Sequence, residues 1–292
     1  VGDNPLRELW RSQAMTDIRK ALATGEGPRG CWKCWDREAR EGDSLRLGKN
    51  RAFPAWFERI RACRGAEAAT PTSPAALDLR FSNLCNFTCR TCSHHASSRW
   101  FREAKRMGTQ IGEQALISSF ATARDVLAEL GEGLEQIEEI YFAGGEPLLM
   151  EEHHLLLAEI AARGLNAIRL NYNSNLSSLD FGDESVTDLW RQFPEVTVEA
   201  SVDAAHAQGE LVRKGFIWTR FVENVARLRK DCPHVRLRFG ITVSALNVWC
   251  LPELLDALRV ECAARPAEIH LHSLQIPEFY STQVLGQTMK IG

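Results

Sequence analysis

The sequence has no apolar run approaching the roughly 18–20 residues that cross a bilayer as a helix, and none of its stretches reads as a secretory leader. Neither sign of charge dominates. Thirty-five Lys and Arg stand against 38 Asp and Glu, a net charge of −3, which gives no support for a protein that coats nucleic acid or a membrane surface. The even cysteine count of a disulfide framework is missing too, because there are nine. Five of the nine fall in two tight clusters, Cys31 with Cys34 and Cys85 with Cys89 and Cys92. Clustering of that kind reads as metal binding in a reducing cytoplasm rather than as disulfide pairing. An initiator Met is also absent, and the opening VGDNPLRELWRSQAM suggests that the natural N-terminus lies upstream.

What is present suits a sizeable core. Of 292 residues 45% are hydrophobic and 25% charged, and one α/β barrel-like unit can have this length. Leu6, Leu9, Trp10, Met15, Ile18 and Leu22 recur at helical spacing and predict one or two short amphipathic helices over 5–24. Gly25, Gly27, Pro28 and Gly30 then break the chain, Cys31 and Cys34 follow at once, and a helix is expected from about 34 to 41. Residues 43–75 read as a polar, irregular linker. Beyond it a rhythm sets in. Strands are predicted at 77–82, 139–144, 167–173, 196–202, 235–243 and 268–274, separated by helical stretches at about 110–131, 151–163, 183–192, 217–230 and 251–263. Six strands alternating with helices predict βα units on a parallel sheet, a partial (β/α)6 TIM-like barrel. The division expected is 1–42 as an accessory cysteine segment, 43–75 as linker, 76–276 as barrel and 277–292 as a C-terminal extension. Strands such as VTVEASV alternate in polarity, as they do when one face lines an open lumen.

Residues that act in such barrels collect at the C-terminal ends of the strands. Here the three-cysteine loop follows the first strand and GGEP (144–147) the second. Asn171, Asn173, Ser174 and Asn175 end the third strand, Ser201 and Asp203 the fourth, and Thr242 and Ser244 the fifth, while His270 and His272 point the same way on the sixth. Each has a plainer reading. Ser and Asn cap helices, a GGEP turn is a common strand-to-helix loop, and the cysteines could be buried or zinc-bound. An ordinary zinc site, however, wants four ligands, whereas three thiolates hold a four-iron cluster and leave one iron open.

The spacing C-x3-C-x2-C, followed by GGEP and the polar strand tips, resembles the radical S-adenosylmethionine (radical SAM) enzymes over residues 77–274. The resemblance implies that Cys85, Cys89 and Cys92 ligate a [4Fe-4S] cluster whose fourth iron chelates SAM. It implies that Gly144, Gly145 and Glu146 receive the SAM ammonium, that Ser174, Asn175, Ser201 and Asp203 face its ribose and carboxylate, and that Val243 lies over the adenine. Arg213 would meet the carboxylate as a bidentate partner, with Lys214 beside it as the rival. Thr91 departs from the large apolar or aromatic residue usual before the third cysteine.

The stretch LRELWRSQAMTDIRKALATGEGPRGCWKCW resembles a twitch or SPASM segment, which implies an auxiliary iron–sulfur cluster at Cys31 and Cys34. Two thiolates cannot hold a cubane alone, so further ligands are expected outside this stretch, and a zinc knuckle or lone C-x2-C is the alternative. Cys63, Cys232, Cys250 and Cys262 read as small core hydrophobes, and His153 and His154 as surface residues. The function implied is cleavage of SAM to a 5′-deoxyadenosyl radical that takes hydrogen from a substrate. A peptide is the first expectation, a small molecule of sugar or nucleotide biosynthesis the second, and a non-catalytic electron-transfer protein the contrasting class. A reductant such as flavodoxin or ferredoxin is the expected partner.

Overall fold

Alternation of polar and apolar residues along six short segments becomes, in a computed structural model that describes residues 6–62 and 73–286, a six-stranded parallel sheet. The strands are β1 (Ala76–Leu79), β2 (Glu139–Phe142), β3 (Arg169–Ser174), β4 (Val196–Ser201), β5 (Arg236–Val243) and β6 (Ile269–Ser273), and they lie side by side in chain order. Every neighbouring pair is parallel, so every connection must cross back over the same face, as in a partial TIM-like barrel.

The register sorts the side chains. Phe142 stands beside Tyr172, Tyr172 beside Val198, and Val198 beside Leu237, and all four are buried. On that face Phe142 stacks on Tyr172 at 4.9 Å and Tyr172 meets Trp190 at 5.1 Å, while Phe221 meets Phe239 at 6.3 Å. Trp190 belongs to α9 (Val186–Trp190) and Phe221 to α11 (Trp218–Asp231), so this is the helix-covered side. Burying each such ring is worth about 1.5–3 kcal/mol. The opposite face carries Tyr141, Asn171, Asn173, Thr197, Glu199, Arg238, Thr242 and His270, all half-buried. This is the polar lumen that the alternation predicts.

His153 and His154 are not surface residues. Both are buried in α8 (Glu151–Ala162), where His153 Nε2 meets Tyr172 Oη at 3.0 Å and His154 Nε2 meets the Leu148 carbonyl at 3.1 Å. A hydrophobic-looking helix would have used Leu here; these rings use one nitrogen each on buried oxygens, and burial drives the pKa of both down. The predicted helix over 110–131 shrinks to α7 (Ala123–Leu130). Its first half is irregular because it straps the cysteine loop: Asn83 Nδ2 donates to Ala115 O, Asn83 Oδ1 accepts from Ile117 N–H, and Ser119 N–H donates to Phe81 O.

The chain divides into two units, residues 76–128 with 138–292, which hold the sheet, and residues 1–75 with 129–137. The latter begins with α1 (Leu6–Arg11) and α2 (Gln13–Thr24), separated because Ser12 Oγ accepts from Met15 N–H and restarts the helix. Gly25 at φ 81° ends α2, and α3 (Trp32–Glu41) follows. The stretch expected to be an irregular linker contains α4 (Leu45–Ala52) and α5 (Pro54–Ala62). Ser44 caps α4 through Leu47 N–H, and Ser44 Oγ and Arg46 Nε bind Glu38 of α3 at 2.5 and 3.0 Å. Polar composition hid a helix whose cap and ion pair are themselves polar.

Candidate active site

The loop after β1 is fastened both before and among its cysteines. Asn83 Nδ2 donates to His94 O at 2.7 Å, Ser97 Oγ to Phe87 O at 2.6 Å, and Trp100 Nε1 to Cys89 O at 3.0 Å. Thr88–Cys89 then pairs antiparallel with Arg213–Lys214, which sets Cys89 opposite Arg213. Cys85 and Cys92 are half-buried and Cys89 is buried. Phe87 N–H points at Cys85 Sγ from 3.5 Å. Burial pushes all three thiols above the usual range, Cys89 to about 12, against the pull of Arg213.

GGEP closes on this loop. Gly144 has φ 108°, and a Cβ on Gly145 would stand 2.0 Å from Leu84 O, so only glycine fits. Glu146 is fully enclosed. One carboxylate oxygen accepts from Ser174 Oγ at 2.8 Å and Leu148 N–H at 3.2 Å, the other from Asn175 N–H at 2.6 Å. Three of roughly four acceptor positions are thus used within the chain, and burial still raises its pKa to about 6. Ser174 and Asn175 therefore cap no helix. Ser174 holds Glu146, and Asn175 Nδ2 bridges to Asn86 Oδ1 at 2.8 Å, with Cys85 Sγ 3.9 Å away.

On the far side Asp203 is buried. It accepts from Arg213 Nη1 at 3.0 Å and from Thr242 N–H at 2.8 Å. Burial works against the charge of Arg213, and Cys89, Asp203 and Cys85 outweigh it, so its pKa is raised and it stays a cation. Its Nε is buried with no hydrogen-bond partner. Lys214 turns outward to Glu103 at 3.0 Å and is no rival. Ser201 and Val243 lie half-buried at the tips of β4 and β5. Cys85, Asn175 and Glu146 are therefore joined through direct contacts, and Cys89, Arg213 and Asp203 through strand pairing and an ion pair, with the cysteine loop common to both sets, while Ser201 and Val243 share only the rim.

Residues 79–258, more than half of the chain, match the family model described as Radical SAM superfamily. The chain belongs to the radical SAM superfamily. The cofactors of that family are a [4Fe-4S] cluster and SAM, and its members are enzymes. Among solved structures, SuiB of Streptococcus suis bound to S-adenosylmethionine shares the fold at a TM-score of 0.50 and 13% identity, over 92% of this chain and 52% of that one. SuiB bound to the precursor peptide SuiA gives 0.47 and 14%, over 85% and 50%. The protein anSMEcpe with bound AdoMet gives 0.48 and 16%, over 70% and 52%. This radical SAM chain spans about half the length of the solved structures it matches.

The residues fit what the family carries. Among the described residues no group of three or more His, Cys, Asp or Glu is set to hold a single metal ion. A cubane differs in spreading its thiolates around a cluster instead of converging them on a point. Burial disfavours a lone thiolate, and a cationic iron centre would offset this by displacing the thiol proton and neutralising the thiolate it binds. The unpaired Nε of Arg213 beside a buried carboxylate is what an incoming SAM carboxylate would satisfy.

One constellation escaped the sequence reading. Glu199 of β4 reaches across β5 to His270 Nδ1 at 3.0 Å and His272 Nε2 at 3.3 Å on β6. It crosses at Gly240, where a Cβ would come within 2.9 Å of the carboxylate. The two histidines were noticed for their common direction, but Glu199 looked like an ordinary alternating residue, and its partner lies two strands away. Cys31 and Cys34 sit half-buried at the start of α3, with no third ligand among the described residues. Cys232 and Cys262 are buried and Cys250 half-buried, while Cys63 lies outside the described residues.

Proposed function

We propose that the chain is the core of a radical SAM enzyme in which Cys85, Cys89 and Cys92 hold the cluster, and that its substrate is a peptide. Gly144, Gly145, Glu146, Ser174, Asn175, Ser201, Asp203, Arg213 and Val243 form the SAM pocket in this reading. The observation that carries it is the half-buried Arg213, whose buried Nε has no partner while its Nη1 binds Asp203. An electron-transfer protein has no use for such a receptor. When bound, cluster and SAM supply a 5′-deoxyadenosyl radical through one-electron reduction, the electron coming from a flavodoxin- or ferredoxin-type donor in the cytoplasm.

The chain's own residues orient and enclose. Arg213 and Asp203 fix the carboxylate end, and the backbone at Gly144 and Gly145 admits a close approach. Glu146 keeps the second and third strand tips in register. The substrate takes the polar face of the sheet. There Glu199, a carboxylate that can only accept, makes His270 donate from Nδ1 and His272 from Nε2. Support for a peptide comes from SuiB, which shares the fold and is seen with a precursor peptide. Cys31 and Cys34 contribute to an auxiliary cluster within an accessory segment, with ligands beyond the described residues.

The reading is tested by anaerobic reconstitution with iron and sulfide, followed by dithionite and SAM. The expected product is 5′-deoxyadenosine, formed by the native protein and not by Cys89→Ala. Equal yields from both, or none from a protein that has bound about four irons, would discard the enzyme reading.

A further inference from the structure

The N-terminal end of the sheet, remote from the cysteine rim, holds a second feature. A cavity of about 580 Å³ opens where β5 and β6 begin, bounded by the end of α11 and by the turn before β6. The volume lies within the roughly 300–1,000 Å³ typical of small-molecule sites. Arg229, Arg236, Arg238, Arg265 and His270 line it, and Glu268 is its one carboxylate.

That carboxylate is already committed. Glu268 accepts from Arg229 Nη2 at 2.9 Å through one oxygen and from Arg265 Nη2 at 2.6 Å through the other. Arg229 Nε remains buried with no hydrogen-bond partner. Arg236 and Arg238 have no ion-pair partner among the described residues. The reason at Arg238 is specific. Its cross-strand neighbour is Glu199, which turns away over Gly240 to His270 and His272 instead. Four guanidinium groups therefore face one carboxylate, leaving three positive charges uncompensated. Pro233 and Val235, just before β5 begins, supply accessible apolar surface beside them.

A single carboxylate would leave most of that excess unanswered, whereas a phosphate monoester brings up to two negative charges and three acceptor oxygens matched to guanidinium forks. We propose that this cavity binds a small organic phosphate, with the phosphoryl group on Arg236 and Arg238 and the body against Pro233 and Val235. From Arg238 to Val243 the strand rises about 16 Å, so the site is separate from the cysteine rim and stands whether or not SAM is cleaved.

Phenyl phosphate is a suitable probe, with inorganic phosphate and phenol as its two halves, titrated calorimetrically at constant low ionic strength. Phenyl phosphate should bind about tenfold or more tightly than either half. Arg238→Gln should weaken it about tenfold or more, Arg238→Lys less, and Arg259→Gln, at an exposed pair outside the cavity, not at all. Circular dichroism and melting temperature establish that each variant is folded. If Arg238→Gln does not fold, Arg236→Gln, at an exposed position at the start of β5, takes its place with the same expected loss. Equal affinity in native and substituted proteins, equal loss in Arg259→Gln, or no heat at millimolar phenyl phosphate would overturn the proposal.

Discussion

Arg213 shows how a single side chain distinguishes a receptor from a scaffold. A structural arginine at this depth would spend its whole fork on partners within the chain, because an unpaired buried N–H costs about 1–3 kcal/mol. Arg213 spends Nη1 on Asp203 and leaves Nε without a partner. In Arg213→Lys the charge beside Asp203 survives and the fork does not. The substituted protein should keep its brown cluster absorbance while binding SAM about tenfold to a hundredfold more weakly by calorimetry; unchanged affinity would remove Arg213 from the pocket. His153 makes the opposite case, a histidine whose role is confined to the core. Its ring is enclosed by Tyr172, Phe142 and His154, and burial, then His154, hold its pKa well below the ordinary value. The unfolded chain takes up a proton near pH 6.5 and the folded one does not, so the neutral ring's contribution is complete above that pH and is lost as pH falls below it. The slope is about 1.4 kcal/mol per pH unit. Against His153→Gln, which cannot titrate, the native protein's melting temperature should fall further between pH 7 and pH 5.5; parallel curves would mean that the ring protonates in the fold.

At the level of elements, the parallel sheet was legible because period-two alternation and turn residues are local signals. The six strands fall within or beside the segments predicted for them, and GGEP lands on the second strand tip. What was not legible depended on partners far away in sequence. Residues 110–122 have helical composition, yet Asn83 and Phe81, some 30 positions earlier, take their backbone hydrogen bonds. The Glu199 crossing needed knowledge that Gly240 would be its neighbour. His153 and His154 looked exposed because their partners, Tyr172 and the Leu148 carbonyl, are supplied only by the fold. Gly145 packs closely against the cysteine loop. In Gly145→Ala the new Cβ meets the Leu84 carbonyl and the backbone of Asn83, neither of which can rotate aside. The loop must move bodily, which should cost about 1–3 kcal/mol or more. Iron loading should fall to a small fraction of the native amount while the helical circular dichroism persists. Full loading would show that the cysteine loop tolerates displacement.

For the molecule as a whole, the open question is how many clusters it carries, and the two cysteine groups differ in a way that makes the answer measurable. Cys85, Cys89 and Cys92 are fastened by Asn83, Ser97, Trp100 and the short pairing with Arg213–Lys214, so the three thiols are prearranged. Cys31 and Cys34 lie three residues apart at the head of α3, Cys31 as its N-cap residue, and both are half-buried. A cubane needs more than two protein ligands, and none of the described residues adds a third to them. An auxiliary cluster there must take its remaining ligands from residues outside those described. The experiment follows from that asymmetry. In the Cys85/Cys89/Cys92→Ala variant of the native protein, iron and acid-labile sulfide should stay near four per chain, and should vanish when Cys31→Ala and Cys34→Ala are added. Retention in the first variant and loss in the second assigns the remaining cluster to α3. Loss of all iron in the first variant would leave the accessory segment without a cluster, and its C-x2-C as a pair of ordinary thiols.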